Sequence, residues 1–408
     1  MQIFSKKNRS LTFIVVTMFL NFLGFSIIIP ILPFLVEQYA PNIKDIALNV
    51  GLIMAAYAFC QFIAAPGLGA LSDKFGRRPI LLVSLFGSII GYLVMAIGGA
   101  LWVLFLGRII DGLTGGNIST VFAYIADITK PQERGKYYGL LGAAGGFGFM
   151  IGPAVGGLTA HFSLVTPLYL AAFITFLNMV WGYFVLPESL STEHRTPNVN
   201  IRHLNPFLQF NHIFDIPALK RIFLYAFLFF LALMQMQSIT SVFLKDIFNW
   251  GPEQIGFALF AVGVMDIFSQ GYLVRKLLEK LSDLNVSEIG LGLTLIGFVI
   301  IALTASLNSL LLLILGVIIL VIGDGLFEPS ASSLISNSVD RTMQGRVQGA
   351  SQSMQSMTRV LGPFFAAFLY TVWAGLPYAF GAVLLVGSFA VLALSRKIIH
   401  EHKKSFDY

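Results

Sequence analysis

Acidic side chains lie inside long apolar stretches of this 408-residue chain. Asp324 and Glu328 are four residues apart in the run GDGLFEPS, so a helix places them one turn apart on one face. Two carboxylates this close disfavour double ionisation, and we expect one of them to hold a proton. A carboxylate that gains or loses a proton as its access changes is what proton coupling requires. Asp266, in the run VGVMDIFSQ, is a third candidate, with Gln270 as its partner one turn further on.

Arg108 and Asp111 form a second ionisable group within an apolar stretch. Their spacing of three residues allows an ion pair on one helix face. Ionisable groups at the centre of a bilayer cost at least about 2.5–3.5 kcal/mol each and tend to be functional. We therefore assign both residues to proton coupling, together with the three acids. Structural pairing is the alternative for Asp111, and interhelical hydrogen bonding is the alternative for Asp266.

Polar or soft side chains inside other apolar stretches are candidates for a substrate cavity. These residues are Asn21, Tyr57, Gln61, Asn117, Gln235 and Met236. Met and Phe make adaptable apolar walls that suit varied lipophilic ligands. Because the chain has 38 Phe and 12 Met, packing is the alternative role for most of them. The dipeptide Gly152-Pro153 predicts a helix bend, since proline removes a backbone hydrogen bond and glycine allows close contact.

The elements that must hold these residues follow from the composition. The chain is 56% hydrophobic and 11% charged, so most side chains do not face water. Its apolar stretches are long enough to cross a bilayer as helices, and they carry Gly and Pro inside them. We predict twelve spans, at 11–36, 47–71, 80–99, 101–127, 137–159, 165–187, 220–247, 252–275, 287–305, 309–337, 346–371 and 376–395. The predicted fold class is an all-α membrane protein.

The basic residues predict the orientation. Of the 26 Lys and Arg residues, 22 fall on the side that both termini share, which is cytoplasmic by the positive-inside rule. The net charge of +6 therefore reports topology, and we expect no nucleic-acid partner. The single cysteine, Cys60, excludes an intramolecular disulfide and a cysteine-rich metal site. The histidines lie outside the predicted spans and no catalytic set is visible, so we expect no enzyme, no cofactor and no metal site.

The longest polar stretch, 188–219, falls between the sixth and seventh spans. It divides the chain into an N-terminal six-helix bundle at 1–187, a cytoplasmic central loop and a C-terminal six-helix bundle at 220–408. The bundles resemble each other, because residues 133–155 match residues 343–365 at a constant offset of 210. Upstream, IIDGL matches IGDGL at an offset of 213. Two pseudo-symmetric bundles of this kind predict a transporter that works by alternating access.

A charged turn between the second and third spans, GLGALSDKFGRR, points to a known family. It resembles the signature loop of the major facilitator superfamily. The run LGRIIDGLTGG at 106–116 is similar to the fourth-helix motif of that family. The run GFMIGPAVGG at 148–157 is similar to the fifth-helix motif of its drug/proton antiporters. The turn, with YIADITKPQERGKYYG, most resembles the tetracycline-efflux branch.

The resemblance implies a proton-driven exporter of small lipophilic compounds or drugs in the cytoplasmic (inner) membrane, acting as a monomer. The alternatives are an exporter of an endogenous metabolite, siderophore or lipid, a tetracycline-specific pump, and a transport-inactive membrane sensor. A cytoplasmic gate is implied as well, in which both arginines of the turn pair with an acid at the end of the fourth span and Asp73 faces a helix N-terminus. The gate residues are Gly69, Asp73, Gly76, Arg77, Arg78 and Asp127. Enforcing topology is the alternative role for the basic ones.

The tetracycline branch has acids within its first, third and ninth helices. Alignment of the similar sequence runs places the first of these acids at Asn21 and the second at Gly91. The ninth span has no acid after Glu288. A tetracycline chelated to Mg²⁺ carries positive charge and should be met by carboxylates, because Mg²⁺ prefers hard oxygen ligands. We therefore expect the magnesium chelate to be a poor substrate of this chain.

Overall fold

The computed structural model describes residues 6–196, 216–339 and 343–404, and every regular element within these ranges is helical. In chain order the helices are α1 Lys6–Ser26, α2 Leu32–Glu37, α3 Ile43–Phe75, α4 Arg77–Ile97, α5 Leu101–Thr114, α6 Ile118–Ile128, α7 Arg134–Thr159, α8 Thr166–Val185, α9 Pro217–Phe248, α10 Pro252–Phe268, α11 Val274–Leu278, α12 Asp283–Leu307, α13 Leu310–Ser336, α14 Gln344–Val372 and α15 Leu376–Lys404. A 3₁₀ turn at Gly115–Asn117 joins α5 to α6, and a π-helical turn at Ser269–Leu273 joins α10 to α11.

Within the described residues, ten helical segments are long and apolar enough to cross a membrane. Two further predicted spans are not among these ten, because one is too short in each of its parts and the other is too polar. The fourth predicted span is split into α5 and α6, each too short to cross alone, and α14 is rich in Gln and Ser along its first half. With these two, the described residues include all twelve predicted spans, and the all-α membrane fold predicted from the sequence is confirmed.

The first predicted span, 11–36, is present as two helices rather than one. α1 ends at Ser26 and α2 begins at Leu32, after a run of turns. Pro30 and Pro33 flank the start of α2, and proline both lacks an N–H donor and disfavours helix in the residue before it. The expectation of a single continuous helix was therefore wrong at this point.

The described chain forms two compact units. The first unit comprises Met1–Asn42, Ala56–Pro206 and Trp250–Phe260, and the second comprises Ile43–Ala55, Phe207–Asn249 and Ala261–Tyr408. Each unit thus includes a short piece of the other half of the sequence. The division at 188–219 stays a prediction, and residues 197–215 of that segment lie outside the described residues.

In the first unit α7 packs closely on α1. Gly152 contacts Ser26 and Leu23 of α1, and a Cβ atom at this position would clash with Ser26 Oγ. Pro153 lies inside α7, which remains helical from Arg134 to Thr159. The predicted bend at Gly152-Pro153 stays a prediction. The close packing fixes α1, which carries Asn21, against the rest of this unit.

Candidate functional site

The signature turn, residues 69–78, joins α3 to α4 through Gly76. Gly76 has a φ of +104°, a conformation that favours glycine. The buried Arg77 follows it, and its guanidinium lies 2.5 Å from Asp73 and 3.2 Å from Asp127. The structure therefore brings Asp73, Gly76, Arg77 and Asp127 together. Gly69 lies within α3, where a Cβ atom would be 3.7 Å from Ser119 Oγ of α6.

Arg78 takes a different partner from the one expected. Its Nη2 atom donates to the backbone carbonyl of Tyr183 at 2.5 Å, and its guanidinium lies 5.5 Å from the centre of the Tyr183 ring. The pairing of both arginines with Asp127 is therefore corrected to a pairing of Arg77 alone. Asp127 accepts a second hydrogen bond from Ser189 Oγ at 2.8 Å.

Glu188 binds the signature turn, which the sequence analysis did not predict. Its carboxylate accepts hydrogen bonds from the backbone N–H groups of Arg77 at 2.8 Å and Arg78 at 3.2 Å. These are the first residues of α4, where N–H groups lack helical partners and the helix dipole favours an anion. A Cβ atom at Gly76 would clash with this carboxylate. The signal in the sequence is slight, since Glu188 is far from the turn along the chain.

Four of the predicted cavity residues lie together in the first unit, at the 3₁₀ turn that splits the fourth span. Gln61 Nε2 donates to the carbonyl of Gly115 at 3.0 Å and to the hydroxyl of Tyr57 at 3.3 Å. Asn21 Nδ2 donates to Asn117 Oδ1 at 3.2 Å. Broken helices at the membrane midplane commonly form substrate sites in transporters. We call these four residues the amide cluster: Asn21, Tyr57, Gln61 and Asn117.

Arg108 lies beside the amide cluster and is fully buried. Its guanidinium contacts Asp111 at 3.4 Å and lies 4.8 Å from the centre of the Tyr57 ring and 5.6 Å from that of Phe25. The carboxylate and the two aromatic rings each attract the guanidinium charge. Arg108 and Asp111 thus form an enclosed ion pair, as their spacing predicts.

The three predicted acids lie in the second unit, on α10 and α13. Gln270 Nε2 donates to Asp266 Oδ2 at 2.9 Å. The other oxygen of Asp266, Oδ1, is buried and has no hydrogen-bond partner among the described residues, and the same holds for Asp324 Oδ1. Asp266 interacts electrostatically with both Asp324 and Glu328. The structure therefore adds Asp266 to the pair that the sequence spacing indicates.

Gln235 and Met236 lie on α9 of the second unit. Gln235 is fully buried, and its amide donates to the backbone carbonyl of Pro377 in α15. A Cβ atom at Gly381 would lie 3.1 Å from its Nε2 atom. The contact to Pro377 gives Gln235 a packing role between α9 and α15. Met236 is partly exposed, and the place of both residues in a substrate cavity stays a prediction.

Known proteins resemble the chain over nearly its whole length. The sequence profile of the Major Facilitator Superfamily matches residues 14–363 and 277–406. The class C tetracycline resistance protein of Escherichia coli is 32% identical over 383 residues, which cover 93% of this chain and 95% of that protein. Multidrug resistance protein 2 of Bacillus subtilis (strain 168) is 27% identical over 90% of this chain and 91% of its own length.

A solved structure gives the same result for the fold. A bacterial homologue of the human lysosomal transporter Spinster superposes with a TM-score of 0.76 at 13% identity, covering 98% of each chain. At this identity the likeness concerns the fold alone. The resemblance carried by the signature turn and the two helix motifs is thereby confirmed. The chain belongs to the major facilitator superfamily, a family of membrane transporters, and within it to the tetracycline-efflux branch.

Proposed function

We propose that the protein is a proton-coupled secondary active exporter, which moves small lipophilic compounds outward in exchange for inward protons. One observation carries the proposal: two buried carboxylate oxygens, Asp266 Oδ1 and Asp324 Oδ1, have no hydrogen-bond partner among the described residues. An unpaired buried carboxylate is costly unless it binds a proton or a cation. Relatives that match nine tenths or more of the chain are named for resistance to tetracycline and to multiple drugs, which supports a drug as the exported compound.

The amide cluster is the proposed place for the polar part of the substrate. Its amide and hydroxyl groups both donate and accept hydrogen bonds and carry no net charge. A carboxylate on the same span, Asp111, is paired with Arg108. Such a site suits neutral polar groups on an otherwise apolar molecule. Gln235 and Met236 are proposed to line the cavity from the second half of the chain.

The two bundles at 1–187 and 220–408 are proposed to act as the moving parts, with 188–219 as a cytoplasmic connection. We propose that both termini lie in the cytoplasm and that the protein lies in the inner membrane, because 22 of the 26 basic residues are predicted to share one side. The signature turn then forms part of a cytoplasmic gate. The transporter is proposed to act as a monomer.

Transport by the purified protein in proteoliposomes tests this function. The vesicles are given a pH gradient in the direction that drives export, and uptake is measured for ethidium, a neutral lipophile and a quinolone. We expect accumulation of at least one compound, lost when nigericin collapses the gradient. Accumulation that survives the loss of the gradient would contradict proton coupling. Binding of none of the compounds by folded protein would contradict export of lipophilic drugs.

A further inference from the structure

Each half of the chain carries a site of the same construction, and the two sites differ in their charged residues. The match of IIDGL with IGDGL, at an offset of 213, pairs Asp111 with Asp324. A second match lies on the helices that face these acids. YAFCQ at 57–61 aligns with DIFSQ at 266–270 at an offset of 209, through F-C-Q and F-S-Q. The second span of each half thus faces the fourth span of the same half with matching residues.

The structure gives both helix crossings the same contact. In the first unit a Cβ atom at Gly112 would lie 2.9 Å from Cys60 Cβ, and in the second unit a Cβ atom at Gly325 would lie 2.5 Å from Ser269 Cβ. Cys60 and Ser269 are counterparts in the repeat. The glutamines that follow them make equivalent hydrogen bonds, one to the hydroxyl of Tyr57 and the other to the carboxylate of Asp266. The sites therefore correspond in geometry as well as in sequence.

The charges at the two crossings differ at two positions. Arg108, which pairs with Asp111, has the apolar and buried Val321 as its counterpart. Tyr57, whose ring contacts Arg108, has Asp266 as its counterpart. The first site thus has one acid and one cation, whereas the second has two acids and no cation at the matching position. This difference fits the two carboxylate oxygens that have no hydrogen-bond partner among the described residues.

Two neighbouring elements carry cationic groups. On α14, Arg359 interacts electrostatically with Glu328, which makes Glu328 the acid with a cationic neighbour. On α11, Arg275 and Lys276 are exposed to solvent. A Cβ atom at Gly325 would lie 3.5 Å from Asp266 Oδ1, so Asp266 faces the crossing itself. The π-helical turn begins at Ser269, three residues after Asp266, and such turns are frequent at functional sites.

We propose that Asp266 and Asp324 share one transported proton across the crossing of α10 and α13, at the site where the other half of the chain holds Arg108. The proton lies between a carboxyl and a carboxylate group and leaves when access to the other side of the membrane opens. The proposal rests on the proposed function, proton-coupled export, and names the pair of residues that binds the transported proton. Gly325 is a positioning residue, because its lack of a side chain lets the two helices meet.

Infrared pH-difference spectroscopy of the purified protein tests the pair without a substrate, by recording the C=O stretching band of protonated carboxyl groups. The wild type should show one pH-sensitive band from the shared proton. D266N and D324N should each lose it, and the double variant should lose nothing more, because the two residues act as one unit. E279Q, at a residue that is exposed to solvent, should keep the band. Retention of the band in D266N, or its loss in E279Q, would overturn the proposal.

A matched pair of glycine variants tests the geometry. G325A places a methyl group against Ser269 and should lose the shared band, whereas G271A, whose Cβ meets nothing within 4 Å, should keep it. An unchanged band in a folded G325A protein would contradict the role of the crossing. Proton-driven export by the same preparations separates this inference from the proposed function. A wild type with the shared band but no such export would refute the function alone.

Discussion

At the scale of single residues, Glu188 shows how one carboxylate can organise a charged turn. It accepts from two backbone N–H groups at the start of α4, while the guanidinium of Arg77 is left to Asp73 and Asp127. The carboxylate therefore supports the turn through backbone contacts rather than through an arginine side chain. This arrangement ties Glu188, the first residue of the 188–219 segment, to the signature turn.

Replacing this carboxylate should loosen the turn. E188Q keeps one oxygen but turns an NH₂ group towards backbone donors, so we expect a loss of about 1–2 kcal/mol, the usual value of a helix cap. The measurement is thermal unfolding of the purified protein, with a midpoint lowered by several degrees. E193Q is the matched control, because Glu193 is exposed near the same turn. Equal midpoints for the two variants would contradict the capping role.

Residue spacing along one helix could be read from the sequence, and contacts between helices could not. The one-turn spacing of Asp324 and Glu328 and the ion pair of Arg108 with Asp111 both follow from helix geometry. The electrostatic interaction of Asp266 with that acid pair depends on how α10 crosses α13. Glu188 reaches Arg77 only because two distant segments fold together. Such partners depend on tertiary packing, which no local spacing encodes.

At the scale of elements, the breaks within helices matter as much as the helices. The 3₁₀ turn at Gly115–Asn117 exposes a carbonyl group to Gln61, and the π-helical turn follows Asp266. The apolar pattern predicted both spans but neither break, because hydropathy reports burial and is insensitive to the local hydrogen-bond register. The interruption between α1 and α2 did have a signal, in Pro30 and Pro33.

The turn between α3 and α4 gives a prediction for an element. G76A requires a side chain at a φ of +104° and in the space of the Glu188 carboxylate, so α4 should lose its cap. We expect this variant to be less stable than G67A, whose Cβ meets nothing within 4 Å. Thermal unfolding of both proteins measures the difference. A G67A protein that unfolds at or below the midpoint of G76A would contradict the prediction.

At the scale of the whole molecule, the distribution of basic residues predicts the topology. Single cysteines at Ser5, Thr196 and Ser405, in a Cys60→Ala background, should react only with membrane-permeant thiol reagents. The reason is that a cytoplasmic cysteine is shielded from an impermeant reagent in intact cells. Labelling of any of the three by the impermeant reagent would reverse the orientation. A cysteine in place of Lys44, on the opposite predicted side, is the positive control.

The magnesium chelate of tetracycline should be a poor substrate, although tetracycline resistance proteins are among the relatives. Among the described residues no group of three or more His, Cys, Asp or Glu could hold a metal ion. An acid has no room at Gly91, where a Cβ atom would lie 2.8 Å from Asp111 Cβ. We expect exchange of this chelate to be at least tenfold slower than that of a neutral lipophile in everted vesicles. Magnesium-dependent tetracycline exchange at a comparable rate would contradict the prediction and show that acids at other positions bind the chelate.

The central claim, proton-driven export through the acids of α10 and α13, is tested most directly by D324N. The measurement compares uphill transport with substrate counterflow in the same proteoliposomes, for a compound that the wild type accumulates. Counterflow needs substrate binding and alternating access, whereas uphill transport also needs the proton. We expect D324N to retain counterflow and to lose accumulation driven by the pH gradient. Uphill accumulation at the wild-type rate would contradict the account.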